Sequence, residues 1–289
     1  MARKPVKEKK VVETTGHEWD GITELDNPMP RWWLWTLYMC IVWGIGYMIA
    51  YPAWPLINGA TKGVLGYSSR GEVAADIASV NAQNAPLDAK IVALDLAAII
   101  DDPEVGTYAV SGGGAVFRTF CIQCHGAGAQ GAKGYPNLLD DDWLWGGGVE
   151  AIYNTVSHGI RVEEDYDTRF SEMPAFGEFL EHEEIDAAAQ FVMSLTGNAT
   201  DEALVAAGAE VFIDNCAACH GEEGKGDREL GAPNLTDAIW LFGGDLETIT
   251  ETITAPRNGV MPAWSLPNRL SESQIRQVAV YVHELGGGE

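Results

Sequence analysis

Two copies of one short motif, Cys121-Ile122-Gln123-Cys124-His125 and Cys216-Ala217-Ala218-Cys219-His220, constrain this chain more than any other feature it carries. Cys-x-x-Cys-His brings three chemical groups to one spacing. Its two thiols add across the two vinyl groups of a haem, and the adjacent imidazole is then held against the iron. Other uses of a Cys-x-x-Cys pair fit poorly. A thioredoxin-like redox pair needs an α/β pattern that is missing here, and a zinc site needs four ligands per ion. A single zinc ribbon made from both motifs would have to close over a separation of 95 residues. A disulfide framework spaces its cysteines more widely and unevenly. Two covalently bound haem c groups are therefore expected, attached at Cys121, Cys124, Cys216 and Cys219, with His125 and His220 on the irons.

The motifs sit in an internal duplication, residues 115–197 against 210–286. Ala115-Val116-Phe117 precedes Cys121 as Glu210-Val211-Phe212 precedes Cys216. PNLLDDDWLWGG at 136–147 matches PNLTDAIWLFGG at 233–244, and Met173-Pro174-Ala175-Phe176 matches Met261-Pro262-Ala263-Trp264. The coarse pattern of each copy is helical: a helix into the Cys pair, a Gly/Pro loop, and a middle helix (149–157; 246–253). A methionine loop and a last helix (183–195; 272–285) follow, and strand-like alternation is absent.

A sixth iron ligand should follow on a loop, and Met173 and Met261 stand there, 48 and 41 residues after His125 and His220. Met29, Met39 and Met48 belong to a membrane segment, and Met193 lies on a helix face that reads as core. The simpler assignment gives each methionine to the haem of its own copy; a crossed pairing between copies uses the same four iron ligands. Thioether ligation raises the reduction potential, and a filled sixth position leaves no room for substrate, which favours an electron carrier over a catalyst.

Other residues have more than one reading. The carbonyls of Pro136 and Pro233 are candidates to hold the second nitrogen of each ligand imidazole. Trp143, Trp145, Trp240 and Phe242 pack either on haem edges or in ordinary core. Arg161 and Arg257 face either haem propionates or solvent. His158, His182 and His283 lack the Met-Pro context and read as surface or core residues.

No residue between Trp32 and Thr61 is charged, and Trp33 to Ala50 is almost continuously apolar. About 28 Å of helix over residues 32–50 is enough to cross a bilayer core. The basic stretch before it is long and no small-x-small cleavage site closes it, so an uncleaved anchor is expected rather than a signal peptide. Cys40, inside the run, reads as a packing residue. Aromatics at both ends resemble interfacial belts. Arg3, Lys4, Lys7, Lys9, Lys10 and Arg31 lie upstream, which puts residues 1–31 in the cytoplasm and the haem domains outside, in the periplasm of a bacterium with two membranes. These bases balance the acids of residues 1–31, so the rest of the chain carries the whole formal charge of −24. Such a surface repels nucleic acid and steers a basic protein partner; a merely solubilising surface is the plain alternative.

With these elements in place, the chain resembles the dihaem subunit III (CcoP/FixP) of cbb3-type cytochrome c oxidases. HEWDGITELDNPMPRWW at 17–33 is similar to that family's lead-in to its membrane helix, and CIQCH, SEMPAF, CAACH and VMPAW stand in the family's order. Some members have two N-terminal membrane helices where this sequence shows one. The resemblance implies an all-α chain: one N-terminal transmembrane helix followed by two tandem class I cytochrome c-like domains. The expected divisions are a cytoplasmic segment (1–31), an anchor (32–57), a linker with a helical stretch ended by Pro103 and Gly106 (58–105), and haem domains at 106–197 and 198–289. It also implies delivery of electrons from a cytochrome c donor, through a monohaem cytochrome c subunit, to a catalytic haem-copper subunit that reduces O2. Competing readings are a free-standing membrane-tethered electron shuttle and a dihaem peroxidase or dehydrogenase with one open iron.

Overall fold

A computed structural model of the chain describes residues 12–237 and 239–289. The basic cluster Arg3, Lys4, Lys7, Lys9 and Lys10 lies outside the described residues. Two compact units divide the chain, Met1–Gln83 and Asn84–Glu289.

The first unit opens on an antiparallel hairpin, β1 (Thr14–Trp19) and β2 (Ile22–Leu25), inside the stretch read from sequence only as a lead-in. Asp20 and Gly21 turn it with φ of 50° and 83°. Asp-Gly is the dipeptide that tolerates two successive positive φ values, so the hairpin had a local signal. Helix α1 (Arg31–Ala50) follows, with no buried residue and an apolar surface all round. Its length and mean hydropathy are those of a membrane-crossing helix. Pro52 stops it, and the amides of Val64 and Leu65 return to the carbonyls of Ile49 and Ala50, satisfying acceptors that a helix end leaves free. Between them the chain reverses through β3 (Pro55–Leu56) and β4 (Gly59–Ala60). Helix α2 (Ser69–Ala93) then leads out of the unit.

The second unit is helical: α3 (Leu96–Asp101), α4 (Pro103–Phe120), α5 (Ile122–His125), α6 (Val149–His158), α7 (His182–Leu195), α8 (Glu202–Asn215), α9 (Ala217–His220), α10 (Leu246–Thr254) and α11 (Glu272–His283). Pro103 follows the end of α3, as the sequence suggested, but it also opens α4. At a first helical position its missing N–H has no partner to lose, and the Asp102 carboxylate accepts from the amides of Glu104 and Val105. Gly106 lies inside that helix. The end of the supposed linker is part of the core: Ile91, Leu96 and Ile99 are buried against Val105, Ala109, Val149 and Val280.

The two sequence copies exchange their last helices. Helix α11, from the second copy, packs on α4 and α6 of the first, and α7, from the first, packs on α8 and α10 of the second. Both principal crossings turn on a glycine at the same place in the repeat. A β-carbon on Gly113 would lie 2.1 Å from the Gln277 carbonyl oxygen, and one on Gly208 would lie 1.9 Å from that of Ala187. Matching aromatic pairs fill the crossings, Phe117 with Tyr281 (ring centroids 5.5 Å apart) and Phe212 with Phe191 (5.0 Å). Phe117 and Phe212 are fully buried, each contributing about 1.5–3 kcal/mol of burial.

Candidate haem sites

Each Cys-x-x-Cys-His site is a single helical turn set at the end of a longer helix. Helix α4 runs to Cys121, whose carbonyl accepts from the amides of Cys124 (3.2 Å) and His125 (3.0 Å); Cys216 does the same for Cys219 (3.1 Å) and His220 (3.0 Å). The turn puts residues i, i+3 and i+4 on one face, so both sulfurs and the imidazole project together. Gly126 and Gly221, at φ 80° and 74°, then turn the chain away.

The imidazoles are held as the sequence led us to expect. His125 Nδ1 lies 3.2 Å from the Pro136 carbonyl oxygen, and His220 Nδ1 lies 3.1 Å from that of Pro233. A carbonyl only accepts, so Nδ1 carries the proton and Nε2 keeps its lone pair free for a metal. Burial lowers the pKa of both rings, against a smaller opposing effect of these hydrogen bonds, so both are neutral and ready to ligate. Burial also pushes the thiols of Cys121 and Cys216 up to about 11, with the neighbouring Cys124 and Cys219 adding to it. Thiols kept neutral in apolar surroundings are ill suited to thiolate zinc binding or redox exchange and well suited to thioethers against a porphyrin.

Around each site the packing is equivalent. Trp143 lies against the core that includes Cys121, and its indole donates to the Gly287 carbonyl; Trp240 lies against the core that includes Cys216. Arg169 sits over the Trp145 ring and Arg257 over Phe242. The Arg161 guanidinium donates to two backbone carbonyls, while Arg257 pairs with Glu251 and Thr252. His158 is paired with the buried Asp165 carboxylate (3.1 Å), and His182 and His283 lie on or near the surface.

The methionines follow the exchanged helices. Met261 packs on the core of Val116, Phe117, Ile152 and Val156, the core that Cys121 also packs against. Met173 packs on that of Phe212, Ile249 and Ile253, as does Cys216. Ile160 and Met261 exchange both backbone hydrogen bonds (3.0 and 3.1 Å), and Trp264 and Ser265 donate to the carbonyls of Val156 and Ser157. Gly159, at φ 66°, allows this approach: its β-carbon would lie 2.2 Å from the Met261 oxygen. The own-copy assignment of the methionines, the simpler sequence expectation, is therefore not the one the packing favours. Sequence reasoning had no local signal for this, since the closing helices of both copies present similar apolar faces.

A helical fold carrying two such turns, each with a neutral imidazole and a methionine in its packing core, defines a dihaem c-type cytochrome. Residues 11–58 match the N-terminal domain of cytochrome oxidase-cbb3, FixP, and residues 109–192 and 203–282 each match cytochrome c oxidase, cbb3-type, subunit III. The chain is 58% identical to the cbb3-type cytochrome c oxidase subunit CcoP of Cereibacter sphaeroides, with all of both chains covered. It is 55% identical to CcoP of Rhodobacter capsulatus, again over the whole of both. To FixP of Sinorhizobium medicae it is 52% identical, over 99% of this chain and 98% of the relative. The chain belongs to the family of subunit III of the cbb3-type cytochrome c oxidases, the dihaem electron-transfer subunits, and binds two covalent haem c groups.

Proposed function

We propose that this chain, as one subunit of a cbb3-type oxidase complex, receives electrons from a cytochrome c donor. It passes them through a monohaem cytochrome c subunit toward the catalytic haem-copper subunit. Cys121, Cys124, His125 and Met261 would hold one haem, and Cys216, Cys219, His220 and Met173 the other. When bound, each haem supplies a one-electron ferric/ferrous couple. The observation that carries the reading is the common core of Met261 with Cys121 and of Met173 with Cys216. The cysteines anchor, the Pro136 and Pro233 carbonyls orient the imidazoles, and the methionine loops close the remaining side of each site against small molecules. Closed irons suit outer-sphere electron transfer and disfavour a peroxidase-like reading.

Helix α1 anchors the chain in the bacterial inner membrane as a single pass, with residues 1–31 in the cytoplasm and both haem regions in the periplasm. The segments proposed to carry the chemistry are the sequence copies 106–197 and 198–289, preceded by the anchor 32–57 and the stretch 58–105. Purification in mild detergent tests the assignment: larger haem-containing membrane subunits are expected to copurify, and isolation of the chain alone would overturn the oxidase role. Rapid CO binding by either reduced haem in the intact protein would reopen the enzyme reading.

A further inference from the structure

We propose that Arg161 is a positioning residue shared by both iron-binding methionines, one guanidinium holding the two loops that carry them; this rests on the methionine assignment above. In the first copy, seven more residues separate the ligand histidine from its methionine motif than in the second. The extra length forms a closed loop after α6. The Arg161 amide donates to the Arg169 carbonyl (2.9 Å) and the Val162 amide to Thr168 Oγ1 (3.1 Å), so the loop is fastened at its neck. Arg161 itself has φ of 56°, a left-handed conformation uncommon for a residue with a β-carbon. Such a conformation persists where the surrounding contacts over-determine it.

Those contacts run to both methionine loops. Arg161 Nε donates to the Gly259 carbonyl oxygen at 2.8 Å, and its Nη1 donates to that of Ser171 at 2.7 Å. Gly259 stands two residues before Met261, and Ser171 two residues before Met173. The same backbone position in each loop is thus gripped by one planar fork, whose donors are fixed relative to one another. The preceding residue, Ile160, is laddered to Met261, so Arg161 cannot shift without moving that loop. Among the described residues the second copy has no counterpart, because Arg257 pairs with Glu251 (3.1 Å) and Thr252 (2.7 Å). Loss of the fork therefore loosens both sulfurs together.

The test uses the full haem-loaded complex with Arg161→Gln, Arg161→Lys and Arg257→Gln, haem attachment being verified by denaturing haem stain. The readouts are the thioether-to-ferric-iron charge-transfer absorption and a redox titration resolving both haems. Arg161→Gln is expected to weaken the absorption at both haems and lower both potentials. Arg161→Lys, which keeps the charge and loses the fork, should do the same, and Arg257→Gln should leave the absorption intact. Should Arg161→Gln fail to accumulate, the lysine variant gives the answer. An unchanged spectrum, a change confined to one haem, full rescue by lysine, or an equal loss in Arg257→Gln overturns the proposal. Failure of the ligand assignment looks different: replacing Met173 or Met261 by histidine would then leave the absorption untouched.

Discussion

Met261, in the second sequence copy, is laddered backbone to backbone with Ile160 in the first, with N–H to O distances of 3.0 and 3.1 Å. Met261 packs on the core that Cys121 also packs against, and the proposed ligation gives it to the haem at Cys121. In a chain whose Cys216 and Cys219 are both serine, leaving one attached haem, Met261→His should lower the potential of the remaining haem, while Met173→His should leave it unchanged. Redox titration of the two variants distinguishes the crossed from the own-copy pairing, and the reverse pattern would refute the crossing.

The close helix crossings admit no side chain at Gly113 or Gly208. Gly113→Val and Gly208→Val are each expected to destabilise by about 1–3 kcal/mol, since the backbone on the facing helix must move. Thermal unfolding followed by haem absorption measures this, and a midpoint equal to that of the unaltered protein would show the crossing to be looser than described.

Asp142 is a carboxyl group strongly perturbed by its surroundings. Burial first, then the charges of Asp237, Asp140 and Asp141, push its pKa up to about 6, with Arg228 partly opposing. A carboxyl that holds its proton more tightly folded than unfolded contributes stability at low pH, and that contribution is lost as pH rises from about 4 through about 6. Asp142→Asn should remove this slope and raise stability at neutral pH by ~1 kcal/mol, after allowance for solvent screening. Unfolding midpoints measured across this pH range test the sign.

The strong negative charge beyond the anchor should show itself in kinetics. Reduction of the chain by a basic cytochrome c is expected to slow by roughly tenfold or more as ionic strength rises from low to physiological values. A rate independent of salt in stopped-flow measurements would leave the acidic surface with a solubilising role alone.

Much of this was legible in the residues alone. Both Cys-x-x-Cys-His turns, their methionines and the carbonyl partners at Pro136 and Pro233 follow from local chemistry, because each depends on spacing within one loop or turn. The apolar run of α1 is legible for the same reason. The hairpin at Asp20-Gly21 is equally local, since the Asp-Gly dipeptide tolerates its two positive φ values. Proline reads alike as a helix stop and as a first helical residue; Pro103 is both, and the cap supplied by Asp102 is what makes it a start.

By itself the sequence determined the chemistry: which sulfurs, imidazoles and thioethers are present, that each set occurs twice, and that an apolar helix precedes them. What only the tertiary structure decided was partnership. Helices α7 and α11 offer nearly interchangeable faces to α4 and α8, so no local pattern says which pairs form. Gly208 meets Ala187 across the short turn between α7 and α8, while Gly113 meets Gln277 only once the far end of the chain has come back to α4, and backbone packed on backbone holds both choices.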